Sequence, residues 1–141
     1  MSAAKPTKKY SGMKISGLHL TQIGNDDFLL EPSRGLNIHD QKNLIEELVG
    51  RSQQAKVTHL YYDLAEQIII DPLYFTWLNK LARALRTINV RMTCIHMQPT
   101  AALALTKFMH DAPAFETAIN ISGRRKKMAG NRTQHDQRRP N

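Results

Sequence analysis

Between residues 18 and 121 the sequence alternates between strand-like and helix-like segments, and this alternation limits the folds that the chain can adopt. The first two strand-like segments flank a turn-forming stretch from Gly24 to Asp27, which predicts a β-hairpin. The later strands are separated by single helices, so their connections are crossovers and the strands run parallel. We therefore predict an α/β fold: a mostly parallel sheet with an N-terminal β-hairpin and helices packed on the sheet. The predicted segments are strands 18–23 and 28–31, helix 38–53, strand 57–62, helix 72–88, strand 90–97, a helix from Pro99, and a short strand or helix at 115–121.

The helix predicted at 72–88 has the clearest local signals. Asp71 is a favoured N-cap and Pro72 is favoured at the first helical position. Apolar residues then recur at three- and four-residue steps, so we expect Trp77 and Leu81 to be buried between this helix and the sheet. The predicted inward-facing residues of the three helices are Leu44, Ile45, Leu48 and Val49; Leu73, Trp77, Leu78, Leu81, Leu85 and Ile88; and Ala101, Ala102, Leu105, Phe108 and Met109.

The net charge of +8 is concentrated at the two ends of the chain. Residues 1–14 carry +4 and residues 123–141 carry +6, whereas residues 15–122 carry −2. Both ends have too few apolar residues to join a core, so we predict a basic disordered N-terminus (1–14), one domain (15–122) and a basic disordered tail (123–141). The basic residues of the tail are Arg124, Arg125, Lys126, Lys127, Arg132, Arg138 and Arg139.

The composition favours a cytoplasmic protein. Cys94 is the only cysteine, which excludes an internal disulfide and a cysteine-based zinc site and fits a reducing compartment. No apolar run approaches the length of about 18 residues that a membrane helix needs, and the N-terminus lacks the apolar stretch of a signal peptide.

The sequence gives little support to an enzyme. It contains no phosphate-binding glycine loop, dinucleotide fingerprint, nucleophile elbow or metal-binding histidine pair, so we predict no catalytic residues, metal or cofactor. His59 and His96 fall inside predicted strands, where a hydrogen-bonded structural role is the more common one. The acids Asp63, Glu66 and Asp71 cluster near strand ends, but no nucleophile accompanies them and Asp71 already serves as a cap.

Residues 61–105 carry a spacing of motifs that resembles the STAS domain, the domain of bacterial anti-sigma factor antagonists. The pattern of that family runs from a strand through Asp-Leu-(Ser/Thr/Ala) and Asp-(Ser/Thr) into an amphipathic helix, and residues 63–65 and 70–71 match this frame. A further strand then precedes Gly-(Ile/Val)-x-Pro, whose place is taken by His-Met-Gln-Pro at 96–99. The resemblance covers about residues 15–122 and is closest to the short scaffold branch of the stressosome.

The resemblance implies a protein that switches partners when a kinase phosphorylates the residue after the helix-capping Asp. Pro72 stands at that position here and has no hydroxyl to phosphorylate. A second phosphorylation position of the stressosome branch falls on Ala104, with Thr100 and Thr106 out of frame. The family pattern therefore predicts no phosphorylation at either of its usual positions.

Two functions follow as hypotheses. In the first, the chain is a non-catalytic regulatory or scaffold protein whose partners are STAS-domain proteins, further copies of itself, or a kinase-type anti-sigma factor. In the second, the basic tails bind nucleic acid or another anionic surface, and salt dependence separates this hypothesis from the first. The surface predicted for partner binding in the first hypothesis comprises Asp71, Pro72, Tyr74, Thr76, Asn79, Lys80 and Arg83.

Overall fold

A single six-stranded sheet forms the centre of the fold. The computed structural model describes residues 13–15 and 17–121. The strands lie in the sheet in the order in which they occur along the chain; the first three pair antiparallel, and the third to the sixth pair parallel. The predicted hairpin and parallel strands are confirmed, and the last segment, for which a strand and a helix were both open, contains a short strand. The strands are β1 (Met13–Ile15), β2 (Leu18–Gln22), β3 (Asp27–Pro32), β4 (His59–Asp63), β5 (Arg91–Ile95) and β6 (Glu116–Ala118).

Strand β1 corrects the predicted N-terminal boundary. The predicted disordered N-terminus includes Met13 and Lys14, but these residues pair with Leu20 and His19 of β2. The chain then turns at Gly17, which has a φ of 78°. A Cβ atom at Gly17 would lie 2.4 Å from the Cα of Leu36, so only glycine allows this close approach.

Each parallel connection contains one helix, as predicted. The helices are α1 (Gln41–Ala55), α2 (Pro72–Arg86) and α3 (Pro99–Phe108). Helix α1 follows a 3₁₀ turn at Ile38–Asp40, and the side chain of Asn37, which caps this turn, accepts a hydrogen bond from the backbone N–H of His39. Helices α1 and α2 contact each other, and α2 also contacts β5.

The main core lies on one face of the sheet, where alternate strand residues meet the helices. Leu60 and Tyr62 of β4 pair in register with Met92 and Cys94 of β5, and all four are buried. Trp77, Leu78, Leu81 and Leu85 of α2 are fully buried in the same cluster. The predicted burial of Trp77 and Leu81 is therefore confirmed.

Three predicted details of the helices are wrong. Leu73, in the first turn of α2, is 38% exposed. Ala102 is exposed, since the inward face of α3 is formed by Ala101 and Leu105. Helix α2 ends at Arg86, before the left-handed residue Asn89, so Ile88 packs on the core from a turn.

Candidate partner-binding site

The start of α2 has the geometry that the sequence predicts. Asp71 lies in the N-cap position with extended backbone, and its Oδ1 accepts a hydrogen bond of 2.8 Å from the backbone N–H of Tyr74. Pro72 is the first helical residue. The helix start is therefore stabilised by its own sequence, and the residue after the cap offers no hydroxyl.

The loop that leads into α2 is held by side chains from two other segments. Asp63 Oδ1, at the end of β4, accepts a hydrogen bond of 2.9 Å from the backbone N–H of Ala65. Gln98 Nε2 donates to the carbonyl oxygen of Ala65, and Thr100 Oγ1 donates to that of Ile68, at 2.8 and 2.7 Å. The loop before α2 is consequently tied to the start of α3, so the two helix N-termini lie at one edge of the sheet.

His96 lies just after β5 and not within it, which corrects the predicted strand 90–97. Its φ is 59°, a left-handed conformation that favours glycine. Glycine is the residue that the STAS pattern has at this position. Its Nδ1 lies 3.0 Å from Asp63 Oδ1, and its backbone N–H donates to the carbonyl oxygen of Ile119. His96 therefore joins the ends of β4, β5 and the segment after β6.

His59 has the structural role that the sequence suggests. It lies in β4 and is buried, with its ring stacked on Tyr61 at a centroid distance of 4.2 Å. Its Nε2 forms a hydrogen bond of 2.6 Å with Thr93 Oγ1 on the neighbouring strand. This histidine contributes to sheet packing on the face opposite Tyr62.

Tyr74 does not belong to the exposed surface for which it was predicted. It is only 7% exposed, and its hydroxyl lies 2.6 Å from that of Tyr62, which also accepts a hydrogen bond from Trp77 Nε1. Burial raises the pKa of Tyr74 to about 12 and raises the pKa of Tyr62 well above its ordinary value. The hydroxyl pair thus stays neutral and serves as a polar connection between α2 and β4.

The other predicted surface residues divide into two groups. Asp71, Pro72, Thr76, Lys80 and Arg83 are exposed along α2. Asn79 is half-buried, because its Oδ1 accepts a hydrogen bond of 2.8 Å from the backbone N–H of Ala114. The segment before β6 therefore covers part of the polar side of α2, and Asn79 holds it there.

Apolar side chains that the sequence analysis did not assign to the site lie exposed beside Pro72. Ile68 and Ile69 are 64% and 63% exposed, while Ile70 is fully buried. Leu73 continues this apolar patch onto α2. Three consecutive isoleucines before a helix cap are a usable sequence signal, since a single short loop rarely buries all three. We call Ile68, Ile69, Asp71, Pro72 and Leu73 the α2-start surface.

A cleft of about 560 Å³ borders the α2-start surface and shares Ile68 and Asp71 with it. Its walls come from the β3–α1 loop and the β4–α2 loop. Arg34, Glu66 and Asp71 supply the charged groups, and Tyr74 lines the cleft from α2. The remaining lining residues are Pro32, Ser33, Leu36, Ile38, Gln67 and Ile68.

Other predicted features lie elsewhere or outside the described residues. Ala104 is half-buried on α3. Cys94 is fully buried, and burial raises the pKa of its thiol. The basic residues from Arg124 to Arg139 lie outside the described part. Within residues 13–15 and 17–121, no three histidine, cysteine or acidic side chains are grouped so that they could hold a metal ion. In the same part, no helix is both long and apolar enough to cross a membrane.

A sheet that begins with a β-hairpin, continues with parallel strands and carries a helix in each crossover is the STAS fold. The similar solved structures are proteins of this class. A serine-to-glutamate variant of RsbS from Moorella thermoacetica is 16% identical, with a TM-score of 0.63 over 82% of this chain and 97% of that chain. A stressosome structure is 17% identical, with a TM-score of 0.64 over 79% and 96%. The unphosphorylated anti-sigma factor antagonist SpoIIAA is 14% identical, with a TM-score of 0.58 over 80% and 96%.

These similarities are structural. No protein-family profile matches the sequence, and no curated protein matches it. The solved structures therefore establish the fold, and the chemistry of the site has to be argued from this chain's own residues.

Proposed function

We propose that this chain is a non-catalytic regulatory or scaffold protein that binds other proteins through the α2-start surface. The observation that carries the proposal is the exposed apolar patch of Ile68, Ile69 and Leu73 around a rigid, capped helix start. Large apolar side chains grouped on a surface are typical of protein contacts. Thr76, Lys80 and Arg83 would form the polar rim of this contact along α2.

In this proposal the α2-start surface is not switched by phosphorylation at the two usual positions of the family. A phosphate on the residue after Asp71 would add about two negative charges at the helix start, but Pro72 cannot carry one. Ala104 likewise has no hydroxyl. Partner binding would therefore be controlled by something other than phosphorylation at these two positions.

The partners that suit the fold are STAS-domain proteins, including further copies of this chain, and kinase-type anti-sigma factors, all in the cytoplasm. Structures of a stressosome and of the anti-sigma factor antagonist SpoIIAA support this choice, because both share the fold. The alternative is binding of nucleic acid or an anionic surface through the basic ends. Binding of that kind should collapse between about 50 and 200 mM salt, whereas a packed protein interface should persist.

The test introduces a charge into the proposed surface. Pro72→Glu should keep the fold, because an acid in the first turn is favourable at a helix N-terminus. It should weaken self-assembly or capture of a STAS-domain partner from the same operon at least tenfold, since the carboxylate would be desolvated against the partner. Light scattering measures the assembly, and a pull-down measures capture.

Thr58→Glu is the matched control, since Thr58 is exposed at the opposite edge of the sheet. It should leave binding unchanged, and circular dichroism should show both variants folded. Equal binding by wild type and folded Pro72→Glu would exclude the α2-start surface and leave the basic ends as the stronger candidate.

A further inference from the structure

The cleft beside α2 has a net negative charge that the described residues leave uncompensated. Glu66 and Arg34 are both exposed and line the cleft, yet neither forms an ion pair within the described part of the chain. Asp71 adds a second carboxylate, one oxygen of which caps α2. Two carboxylates against one guanidinium favour a ligand that carries positive charge.

The buried tyrosine pair beside this cleft has one hydrogen-bond donor more than its hydrogen bonds use. Trp77, Tyr62 and Tyr74 have three polar protons, but only two hydrogen bonds connect them. Trp77 must donate to Tyr62. If Tyr74 also donated to Tyr62, the proton of Tyr62 would be left unpaired in the core, which is the costly arrangement. Tyr62 therefore donates to Tyr74, and the unused proton belongs to Tyr74.

Of these three residues, only Tyr74 lines the cleft. Tyr74 is 7% exposed, and a cleft occupant with carbonyl oxygens offers its spare donor an acceptor. A donor that already accepts a hydrogen bond is also strengthened by polarisation along the chain of bonds. A peptide segment with basic side chains meets both requirements, because its backbone carbonyls accept and its side chains are positive.

The basic segment 123–141 follows β6 in the sequence, and β6 ends at the same edge of the sheet as the cleft. Strand β6 is parallel to β4 and β5, so its carboxyl end lies at the edge that carries the cleft. The hydrogen bond from His96 to Ile119 holds the chain there. Strand β6 is two positions from β4 and three from β3, which corresponds to about 10–15 Å at the usual strand spacing.

The remaining chain is long enough and has the right charge. Twenty residues follow Ile121, and at about 3.3 Å per residue even the first basic cluster can reach the cleft. Residues 123–141 carry +6. Since a short tether gives an effective concentration in the millimolar range, individually weak ion pairs can keep the segment bound.

We propose that residues 123–141 dock within the same chain into the cleft formed by Arg34, Leu36, Glu66, Asp71 and Tyr74. The docked segment would cover Asp71 and Ile68, so it would compete with any protein that approaches the α2-start surface. The contact does not depend on the proposed function, because it would form in an isolated chain that has no partner.

The experiment uses the full-length chain with a nitroxide spin label on Thr133→Cys. Cys94 is buried with a raised thiol pKa, so the label reacts at the introduced cysteine. At 50 mM NaCl we expect amide signals of Arg34, Glu66 and Gln67 to lose more than half of their intensity through paramagnetic relaxation. At 500 mM NaCl the intensity should return, because the attraction is electrostatic.

Three controls make the outcome decisive. The amides of Lys56 and Asn89, next to β4 and β5 at the opposite edge of the sheet, should keep their intensity. Glu66→Gln in the labelled chain should at least halve the effect at the cleft, whereas Glu46→Gln on the exposed face of α1 should not. In a mixture of isotope-labelled chains without nitroxide and unlabelled chains with it, the cleft signals should be unaffected. Undiminished cleft signals in the first experiment, uniform broadening, or broadening in the mixture would overturn intramolecular docking.

Discussion

At the residue scale, the hydrogen bonds among Trp77, Tyr62 and Tyr74 are the most consequential polar contacts of the core. They allow two hydroxyls and an indole to be buried where β4 meets α2, because each group has a partner. The same contacts fix the side-chain direction of Tyr74 and so shape one wall of the cleft. Their loss should therefore affect stability more than the loss of a surface hydrogen bond.

We predict that Tyr62→Phe lowers the free energy of unfolding by about 1–3 kcal/mol, because the indole N–H of Trp77 would remain buried without an acceptor. Urea denaturation measures the change. Tyr61→Phe makes the same chemical change on the other face of β4. Within the described residues the Tyr61 hydroxyl forms no hydrogen bond, so this substitution should lower the free energy of unfolding by less than about 0.5 kcal/mol. Equal effects of the two substitutions would contradict the role of the network.

The raised pKa of Tyr74 predicts a loss of stability at alkaline pH. Its pKa rises from 10.0 in the ordinary case to about 12 here, so the fold favours the neutral hydroxyl. The corresponding stabilisation, about 2–3 kcal/mol, is complete below pH 10 and is lost as the pH rises from 10 to 12. Chemical denaturation at pH 9, 10, 11 and 12 measures this slope, and Tyr74→Phe should flatten it. A slope that is the same in both proteins would assign the alkaline loss to other groups.

At the element scale, the ends of the helices differ in how well the sequence suits them. Helix α2 starts with a favourable Asp-Pro pair, whereas α1 ends in Lys56 with a φ of 57°. The backbone N–H of Val57 returns to the carbonyl oxygen of Ser52, which is a Schellman-type ending that usually contains glycine. A lysine in this left-handed conformation is strained.

We predict that Lys56→Gly stabilises the protein by about 0.5–1 kcal/mol, because the strain of the left-handed residue is removed. The rise in Tm by differential scanning calorimetry measures the effect. Gln54→Gly, two residues earlier within α1, should instead destabilise by up to about 1 kcal/mol, since glycine is poor inside a helix. A loss of stability at both positions would show that strain at Lys56 is negligible.

At the scale of the whole molecule, the stability of the fold and the positive charge of the chain come from different segments. The core is formed by residues between Leu18 and Phe115, while the largest positive charge lies in residues 123–141. Apart from one methionine, one alanine, one proline and two glycines, that segment is polar or charged, so it adds almost no apolar surface to a core. Stability and electrostatic binding should therefore be separable in one truncation.

We predict that deleting residues 123–141 changes Tm by less than about 2 °C at 500 mM NaCl, where electrostatic contacts of the segment are screened. Differential scanning calorimetry of the truncated and full-length chains measures the difference. A larger drop at this salt concentration would mean that the segment packs against the domain through apolar contacts, and the predicted boundary at residue 122 would be wrong.

The sequence by itself determined the features that depend on neighbouring residues. Asp71 and Pro72 start α2, and the three- and four-residue spacing of Trp77 and Leu81 defines its buried face, because capping and helical periodicity act within one or two turns. Single helices between strands led to the parallel sheet, since a crossover leaves few alternatives. The spacing around Asp63 and Asp71 also pointed to the correct fold.

Only the tertiary structure decided the features that depend on distant residues. Tyr74 lies three residues before Trp77 and so on the buried face of α2, but only the structure shows that its hydroxyl meets that of Tyr62, twelve residues away. His96, just after β5, reaches Asp63 at the end of the neighbouring strand β4 through a left-handed backbone, which strand propensity could not indicate. The cleft brings Arg34 and Glu66 together from two loops, because the parallel register of β3 and β4 places their carboxyl ends side by side.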